Sequence, residues 1–432
     1  MEYNKLLPKG ISDFRQTREE NRYYVDKTMF LEKLEVADNF VFMTRPRRFG
    51  KSLFLSMMKD YYDINNKDNF QKEFDGLYVA KKPTPLQGKF QILYFDFSKV
   101  ENANGNTLEE KFDDYCSGVM DRFIRKYADF YDPDTVERVL AIKGQGSKME
   151  EFIDAAKSQG NPIYLIIDEY DNFTNSLLSG DAKNVEFFKK ITHKNGFYRQ
   201  AFKAYKPNFT RIIMFGVLPI TLTDLTSGFN IATNISFDGE FNTMLGFSED
   251  DVRAMIQYYQ NAGKITMSED DILAEMRPWY DGYCFSRDKV GIDPGIYNSN
   301  NVLVYLNSLM RRGCSPESLI NRNTATDFSN LQLMVDIDQK GRANDSNSLI
   351  ESISAQGYTS AKLYDNFDAS KITKFIYLPS LMYYHGLLTL SKTNDEYAMP
   401  IMKIPNLNSR KQFQMMQKMI EGYANSSDSD DV

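Results

Sequence analysis

The sequence predicts an α/β fold, a parallel sheet layered between helices, and three observations carry the prediction. Short runs such as Asn39-Phe-Val-Phe-Met-Thr44, Phe90-Gln-Ile-Leu-Tyr-Phe-Asp96 and Pro162-Ile-Tyr-Leu-Ile-Ile-Asp168 are close to continuously apolar, as expected of strands buried on both faces. Leu53, Met57 and Tyr61, with Phe54 and Met58, recur at helical spacing soon after the first run. The runs end in a glycine turn or in carboxylates, which is how a parallel sheet equips its carboxyl edge.

The first run leads into Arg45-Pro-Arg-Arg-Phe-Gly-Lys-Ser52. Strand, glycine turn and helix is the order a phosphate cradle requires, with the helix N-terminus aimed at the loop. Gly50 lets the chain turn tightly, Lys51 reaches the β- and γ-phosphates, and the Ser52 hydroxyl takes a place on Mg²⁺. In the pattern G-x-x-x-x-G-K-[ST] the first glycine falls on position 45, where this chain has Arg45 and then Pro46, which has no N–H to offer a phosphate. The candidate nucleotide contacts are Arg47, Arg48, Phe49, Gly50, Lys51, Ser52 and Leu53, with Lys51 also catalytic. Arg47 and Arg48 either clamp phosphates or reach a neighbouring subunit; consecutive loop residues point different ways, so one of the two is expected to face nucleotide.

The run ending in Asp168-Glu169 delivers two acids at a strand end. Asp168 is expected to share Mg²⁺ with Ser52, and Glu169 to polarise the attacking water as catalytic base. The bland alternative is a solvated strand end. The strand closing at Asp96 joins the same sheet, as does Arg211-Ile-Ile-Met-Phe-Gly216. ATPases with such an additional strand often carry a polar γ-phosphate sensor near its end. Here the tip is Met214-Phe215-Gly216 and the next polar side chain is Thr221, so either Thr221 reaches back or the sensor is missing. Arg199 and Arg211 are expected as surface ion-pair partners, the alternative for each being an arginine finger.

With Tyr24-Val-Asp-Lys-Thr28 ahead of it, the Arg45–Ser52 stretch resembles the signature of the bacterial AAA-ATPase-like family. Pro8-Lys-Gly-Ile-Ser-Asp-Phe14, Gly246-Phe-Ser-Glu249, Trp279-Tyr-Asp-Gly-Tyr-Cys-Phe285, Tyr297-Asn298 and Leu381-Met-Tyr-Tyr-His-Gly-Leu-Leu-Thr389 extend the resemblance from about residue 6 to about residue 415. It implies a P-loop NTPase three-layer parallel sheet, ATP and Mg²⁺ as ligands, and a short helical lid, and it makes Arg45-Pro46 a family habit. Many relatives look like fusions to a nuclease domain of the PD-(D/E)xK type. This chain passes Ile404-Pro-Asn406 and stops at Val432 after an acidic Ser/Asp tail, so no nuclease activity is expected of it, while a separate nuclease is a candidate partner. Glu109-Glu110-Lys111 is expected to be a solvated helix face.

The ATPase core, with its N-terminal family segment, is expected over 1–238, a helical lid over 239–296, a winged-helix-like domain over 297–410, and a C-terminal helix with an acidic disordered tail over 411–432. In the lid, Ser248 caps a helix with Asp251 at its third position and Ala254, Met255, Tyr258 and Tyr259 on one face. Leu378-Pro-Ser-Leu-Met-Tyr-Tyr-His-Gly386 reads as a helix closed by glycine. A strand from Leu387, a turn at Lys392–Glu396 and a strand over Tyr397–Ile404 complete the outline of a winged helix, with Pro400 making the last strand an edge. Its recognition helix would span about Lys371 to Tyr384, where Lys371 and Lys374 are a thin phosphate footprint; a packing role or a partner surface is the favoured alternative to DNA. Trp279-Tyr-Asp-Gly-Tyr283 reads as a packed turn, and Tyr24–Thr28 either contacts adenine or seals the sheet edge.

Composition bounds the rest. At 432 residues and 42% hydrophobic there is core for two or three domains, and a net charge of −7 recruits no nucleic acid globally. Three scattered cysteines suit a reduced cytoplasmic protein, and two histidines exclude a histidine-rich metal site. No apolar run approaches a membrane span and the N-terminus lacks a signal peptide's apolar core, so neither export nor membrane insertion is expected. Three functions remain: a Mg²⁺-dependent ATPase driving a conformational change in an attached or partner module, a nucleotide-sensing scaffold with little turnover, and a DNA-binding regulator.

Overall fold

The computed structural model describes residues 5–100, 108–172, 209–221, 232–293, 295–319, 328–342, 348–368, 372–394 and 399–427. Its centre is a parallel sheet of β1 (Phe40–Thr44), β2 (Gln91–Asp96), β3 (Ile163–Asp168), β4 (Arg211–Gly216) and β6 (Thr233–Asn234), in the order β2-β3-β4-β1-β6. Every residue of β3 and β4 is buried, which is why these strands read as unbroken apolar runs. β4 lies between β1 and β3, pairing Thr44 with Gly216 and Asp168 with Phe215. The carboxyl ends of the loop-bearing and acid-bearing strands are therefore held about 10 Å apart, two strand spacings.

Helix α1 (Phe30–Val36) precedes β1, and α2 (Lys51–Tyr62) follows it. α2 buries Phe54, Leu55, Met57, Met58, Tyr61 and Tyr62 in the core it shares with the sheet, as its spacing predicts. Its N-cap is Gly50 at φ +90°, a left-handed geometry that glycine adopts without strain. Helix α3 (Leu108–Lys126) packs on β2 and carries Glu110 exposed.

A separate core is formed by α4 (Glu249–Asn261), α5 (Glu269–Tyr280) and α6 (Ser299–Arg312). The capping box predicted for α4 is present: Ser248 Oγ accepts from Asp251 N and Asp251 Oδ2 accepts from Ser248 N. The buried face differs from the one read off the sequence. It is Val252, Met255, Ile256 and Tyr259, with Ala254 outside, because the neighbouring helices cover the side one residue round from the predicted stripe. α6 completes this core through Val302, Tyr305, Leu306 and Leu309, so the unit continues beyond the sequence boundary at 296/297.

The remaining elements are α7 (Phe328–Arg342), α8 (Leu349–Gln356), α9 (Leu378–Tyr384), α10 (Leu407–Ser427) and an antiparallel sheet of β7 (Tyr358–Ser360), β10 (Pro400–Lys403) and β9 (Thr389–Asn394), in that order. Helix and two strands follow one another from α9 to β10, but β9 runs on through Lys392–Asn394, where a turn was expected, and 395–398 lie outside the described residues; Gly386, at φ +79°, lies just past the helix. Two further expectations fail here. β10 is central, not an edge; Pro400 is tolerated as its first residue, where its carbonyl accepts from Ala361 N and no N–H is required of it. Of the stretch proposed for recognition only α9 is α-helical, and every residue of it is buried, so that helix has no face to lay in a groove, while Thr373, Lys374 and Ile376 ahead of it are exposed. Lys374 lies before it, and Lys371 falls outside the described residues. A short parallel pair, β5 (Ile220–Thr221) with β8 (Phe367–Asp368), ties the end of the ATPase-core segment to this unit. Among the described residues no helix is long and apolar enough to cross a membrane.

Candidate functional site

β1 delivers Thr44 to the carboxyl edge of the sheet, and the chain turns there on Arg45. The Arg45 side chain does not face the loop's mouth. It is buried, with Nη1 donating to the carbonyls of Thr44 at 2.9 Å and Ser236 at 2.8 Å, Nη2 donating to that of Phe241 at 3.1 Å, and its guanidinium 4.3 Å from the Phe285 ring centre. Burial pushes the group down to about 10. The position that would hold a glycine thus holds a staple joining β1 to the segment after β6. A cation directly after a short strand reads as surface, so the sequence offered no signal for it.

The loop then passes through Arg48 at φ +71° and Gly50 at φ +90° before α2 begins. Lys51 Nζ donates to the carbonyls of Arg45 at 2.9 Å and Pro46 at 3.0 Å. Burial lowers its affinity for a proton, while Glu169, Asp168 and Asp171 act to raise it. The Ser52 hydroxyl lies close to the Asp168 carboxylate and acts to lower its affinity for a proton. Asp168 also accepts from Glu169 N at 3.0 Å and from Tyr94 Oη at 3.4 Å. Burial pushes Asp168 up to about 6, with the Glu169 charge adding to it and Ser52 and Lys51 opposing. Glu169 has φ +52°, a left-handed conformation that costs a non-glycine residue about 1–3 kcal/mol and recurs at functional sites.

These groups meet at one cavity of about 740 Å³. Arg47, Arg48, Phe49, Gly50, Lys51, Ser52 and Leu53 line it with Glu169, and Asp168 lies behind Ser52. Within the set the roles differ. Arg47 is half-buried, with its carbonyl accepting from Asn298 Nδ2, and Arg48 is exposed. Phe49 is buried edge-to-face on Tyr283 at 5.1 Å and Phe285 at 5.5 Å, so its side chain anchors the loop and only its backbone is left for a ligand. The cavity's far wall combines Ile11, Tyr23 and Val25 of the N-terminal segment with Leu245, Phe247 and Leu303 beside the helical unit.

Tyr24–Thr28 divides between the cavity and the helical unit. Tyr23, Tyr24 and Val25 line the cavity, while Asp26 accepts from Thr28 and from Tyr78 N, and Lys27 Nζ bridges to Asp251 at 2.6 Å and the Thr243 carbonyl at 3.2 Å. The motif therefore pins the helical unit over the site. The packed turn expected over Trp279–Tyr283 begins later: Trp279 and Tyr280 are the last residues of α5, and the chain turns at Asp281-Gly282, where Gly282 has φ +98° and a Cβ would lie 2.5 Å from the Pro405 carbonyl.

The tip of β4 is filled from the acidic strand's own loop. Asp171 accepts from Val217 N at 3.0 Å and Leu218 N at 2.7 Å, and a Cβ on Gly216 would meet its Oδ1 at 2.3 Å. Sequence reasoning passed over Asp171, though an acid three residues after Asp168 was a visible signal. Met214, Phe215 and Gly216 are buried, and Thr221 is committed by its backbone to the pair with β8. Arg211 departs from expectation: it is buried at the amino end of β4, opposite the phosphate loop, with Nη1 on the Leu34 carbonyl at 2.9 Å and Nη2 on that of Glu35 at 2.6 Å. It caps α1 and is neither a surface ion pair nor a finger. Arg199 and His193 lie outside the described residues.

A family model described as a predicted AAA-ATPase, of the AAA-ATPase-like family, matches residues 8–226. A curated relative, an uncharacterized protein in the vnfD 5′ region of Azotobacter chroococcum mcd 1, is 26% identical over 295 residues. The match covers 66% of this chain and 50% of that protein, so the chain spans about half the length of this relative. Two solved structures align at low similarity. The Aeropyrum pernix ORC2 protein, in its ADPNP–ADP complexes, covers 98% of this chain and 97% of its own at 10% identity and a TM-score of 0.31. The ORC1 protein of the same organism, in complex with DNA, covers 96% and 94% at 8% identity and 0.29. Likeness at that level does not extend to ligands or partners.

Proposed function

The chain belongs to the AAA-ATPase-like family, and on that premise we propose that it binds ATP with Mg²⁺ on the Lys51 loop and hydrolyses it, coupling nucleotide state to a conformational change or to a partner effector such as a nuclease. The observation that carries this reading is the convergence of Lys51, Ser52 and Glu169 on one cavity, with the Asp168 carboxylate close to Ser52. Ser52 Oγ and the Asp168 carboxylate are hard oxygen donors close to one another, a set that would suit Mg²⁺. When bound there, the cation would supply positive charge against that of the phosphates. Lys51, displaced from its loop carbonyls, reaches the same phosphates. Glu169, on a backbone held in an unusual conformation, orients water and accepts its proton.

Two measurements test this. ATP·Mg²⁺ at a hundredfold excess over Kd adds about 2.7 kcal/mol to native stability and raises the melting midpoint. Glu169→Gln is expected to lower phosphate release by about 10²–10⁴-fold while keeping that shift; undiminished release by the variant would remove Glu169 from the mechanism.

The sensing scaffold is a second reading, favoured by the apolar β4 tip, where Asp171 serves backbone amides and no polar side chain of Met214–Gly216 meets a γ-phosphate. It predicts an ATP·Mg²⁺ shift with phosphate release no faster in the native chain than in Glu169→Gln. The DNA-binding reading has the least support, since α9 is buried throughout.

A further inference from the structure

The phosphate loop does not stand free behind its cavity. Pro46 abuts the corner between α9 and β9: a Cβ placed on Gly386 would lie 3.1 Å from Pro46 Cβ and 3.2 Å from its Cγ. That corner is itself held from two sides, by Tyr283 Oη at 3.1 Å and Ser409 Oγ at 3.0 Å, both donating to the Gly386 carbonyl. Tyr283 also carries the edge-to-face contact with Phe49, so one tyrosine touches both the loop and the corner behind it. Next to Gly386, the His385 imidazole is kept neutral by burial and by the charges of Arg47 and Lys51.

We propose that the corner formed by Gly386, Tyr283 and Ser409 is the backstop that positions the phosphate loop, and that through it adenine nucleotide on the loop and the C-terminal sheet unit are energetically linked. The inference rests on the nucleotide reading above. Lys51 Nζ is bonded to the Pro46 carbonyl, and Pro46 rests on Gly386. A lysine that leaves that carbonyl for a phosphate changes the force on the residue touching the corner. Because packed contacts rearrange between discrete arrangements, the corner responds, and linkage requires that altering the corner alter nucleotide affinity in return. Tyr283, Ser409 and Gly386 are positioning residues and touch no reacting atom.

The test uses the full chain and two alanine substitutions of equal backbone character. Gly386→Ala and Gly357→Ala both place a methyl group at positive φ in the same unit, +79° and +85°, but only the first pushes on Pro46; the second meets only the Arg410 side chain. Titration calorimetry with ATP·Mg²⁺ is expected to give an affinity about tenfold weaker for Gly386→Ala than for Gly357→Ala, in the ordinary range of coupling between sites. Should Gly386→Ala not fold, Tyr283→Phe is compared with Tyr305→Phe, whose lost hydroxyl served Glu275 in the helical unit, and the weaker binding is expected of Tyr283→Phe. Equal affinities within the pair would overturn the inference and leave the nucleotide reading intact. A native chain that binds no ATP·Mg²⁺ at millimolar concentration would overturn both.

Discussion

Replacing Arg45 by glycine writes the residue of the general phosphate-loop pattern back into this chain, and the structure predicts that the change destabilises it. The carbonyls of Thr44 and Ser236 lose donors at 2.9 and 2.8 Å, while that of Phe241, which loses one at 3.1 Å, keeps Met244 N at 3.3 Å. At about 2 kcal/mol for each buried acceptor left without this donor, the first two cost about 4 kcal/mol. Loss of the contact with Phe285 at 4.3 Å adds up to about 2 kcal/mol for a desolvated cation over a ring. Against this stands relief from burying the cation, which burial pushes down from its ordinary value to about 10, corresponding to about 3 kcal/mol. The sum is about 3 kcal/mol, falling to about 1 kcal/mol where water enters the vacated space and serves the carbonyls. Urea unfolding followed by far-ultraviolet circular dichroism measures it. Arg45→Met, which keeps bulk over Phe285 but no donors, separates packing from hydrogen bonding. A glycine variant as stable as the native chain would refute the assignment of Arg45 as a staple.

Two further outcomes follow from buried charges. Asp60 is buried on α2 and burial holds it up at about 6, above its ordinary 3.8, with Lys59 and Arg15 opposing; a raised carboxyl contributes stability that is full below about pH 4 and lost as pH rises through about 6. Asp60→Asn is therefore expected to gain on the native chain by up to about 3 kcal/mol between pH 4 and pH 7 in urea melts, and a difference that does not change with pH would refute the burial argument. Lys51→Met removes the ammonium that reaches phosphate, so the stabilisation by ATP·Mg²⁺ seen in the native chain should vanish in a thermal melt; an undiminished shift would take Lys51 out of the site.

What could be read locally was read correctly where one residue's neighbours in sequence decide its environment. The apolar runs became buried parallel strands, Gly50 took the left-handed turn, Ser248 and Asp251 closed a capping box, and the Lys51–Ser52 pair met Glu169 at a cavity. What failed depended on partners far along the chain. Pro400 is central because β7 pairs on its other side, Arg211 is buried because α1 ends beside it, and α9 is sealed by elements from several segments.

The sequence by itself determined the class of fold, the glycine turn into α2 and the acidic strand, because strand burial and glycine φ are local properties. Only the tertiary structure decided that Arg45 turns inward, that Asp171 fills the β4 tip, and that Gly386 stands behind Pro46. Each of those is a contact between residues dozens to hundreds of positions apart, and its strength comes from desolvation and close approach, which no local pattern encodes.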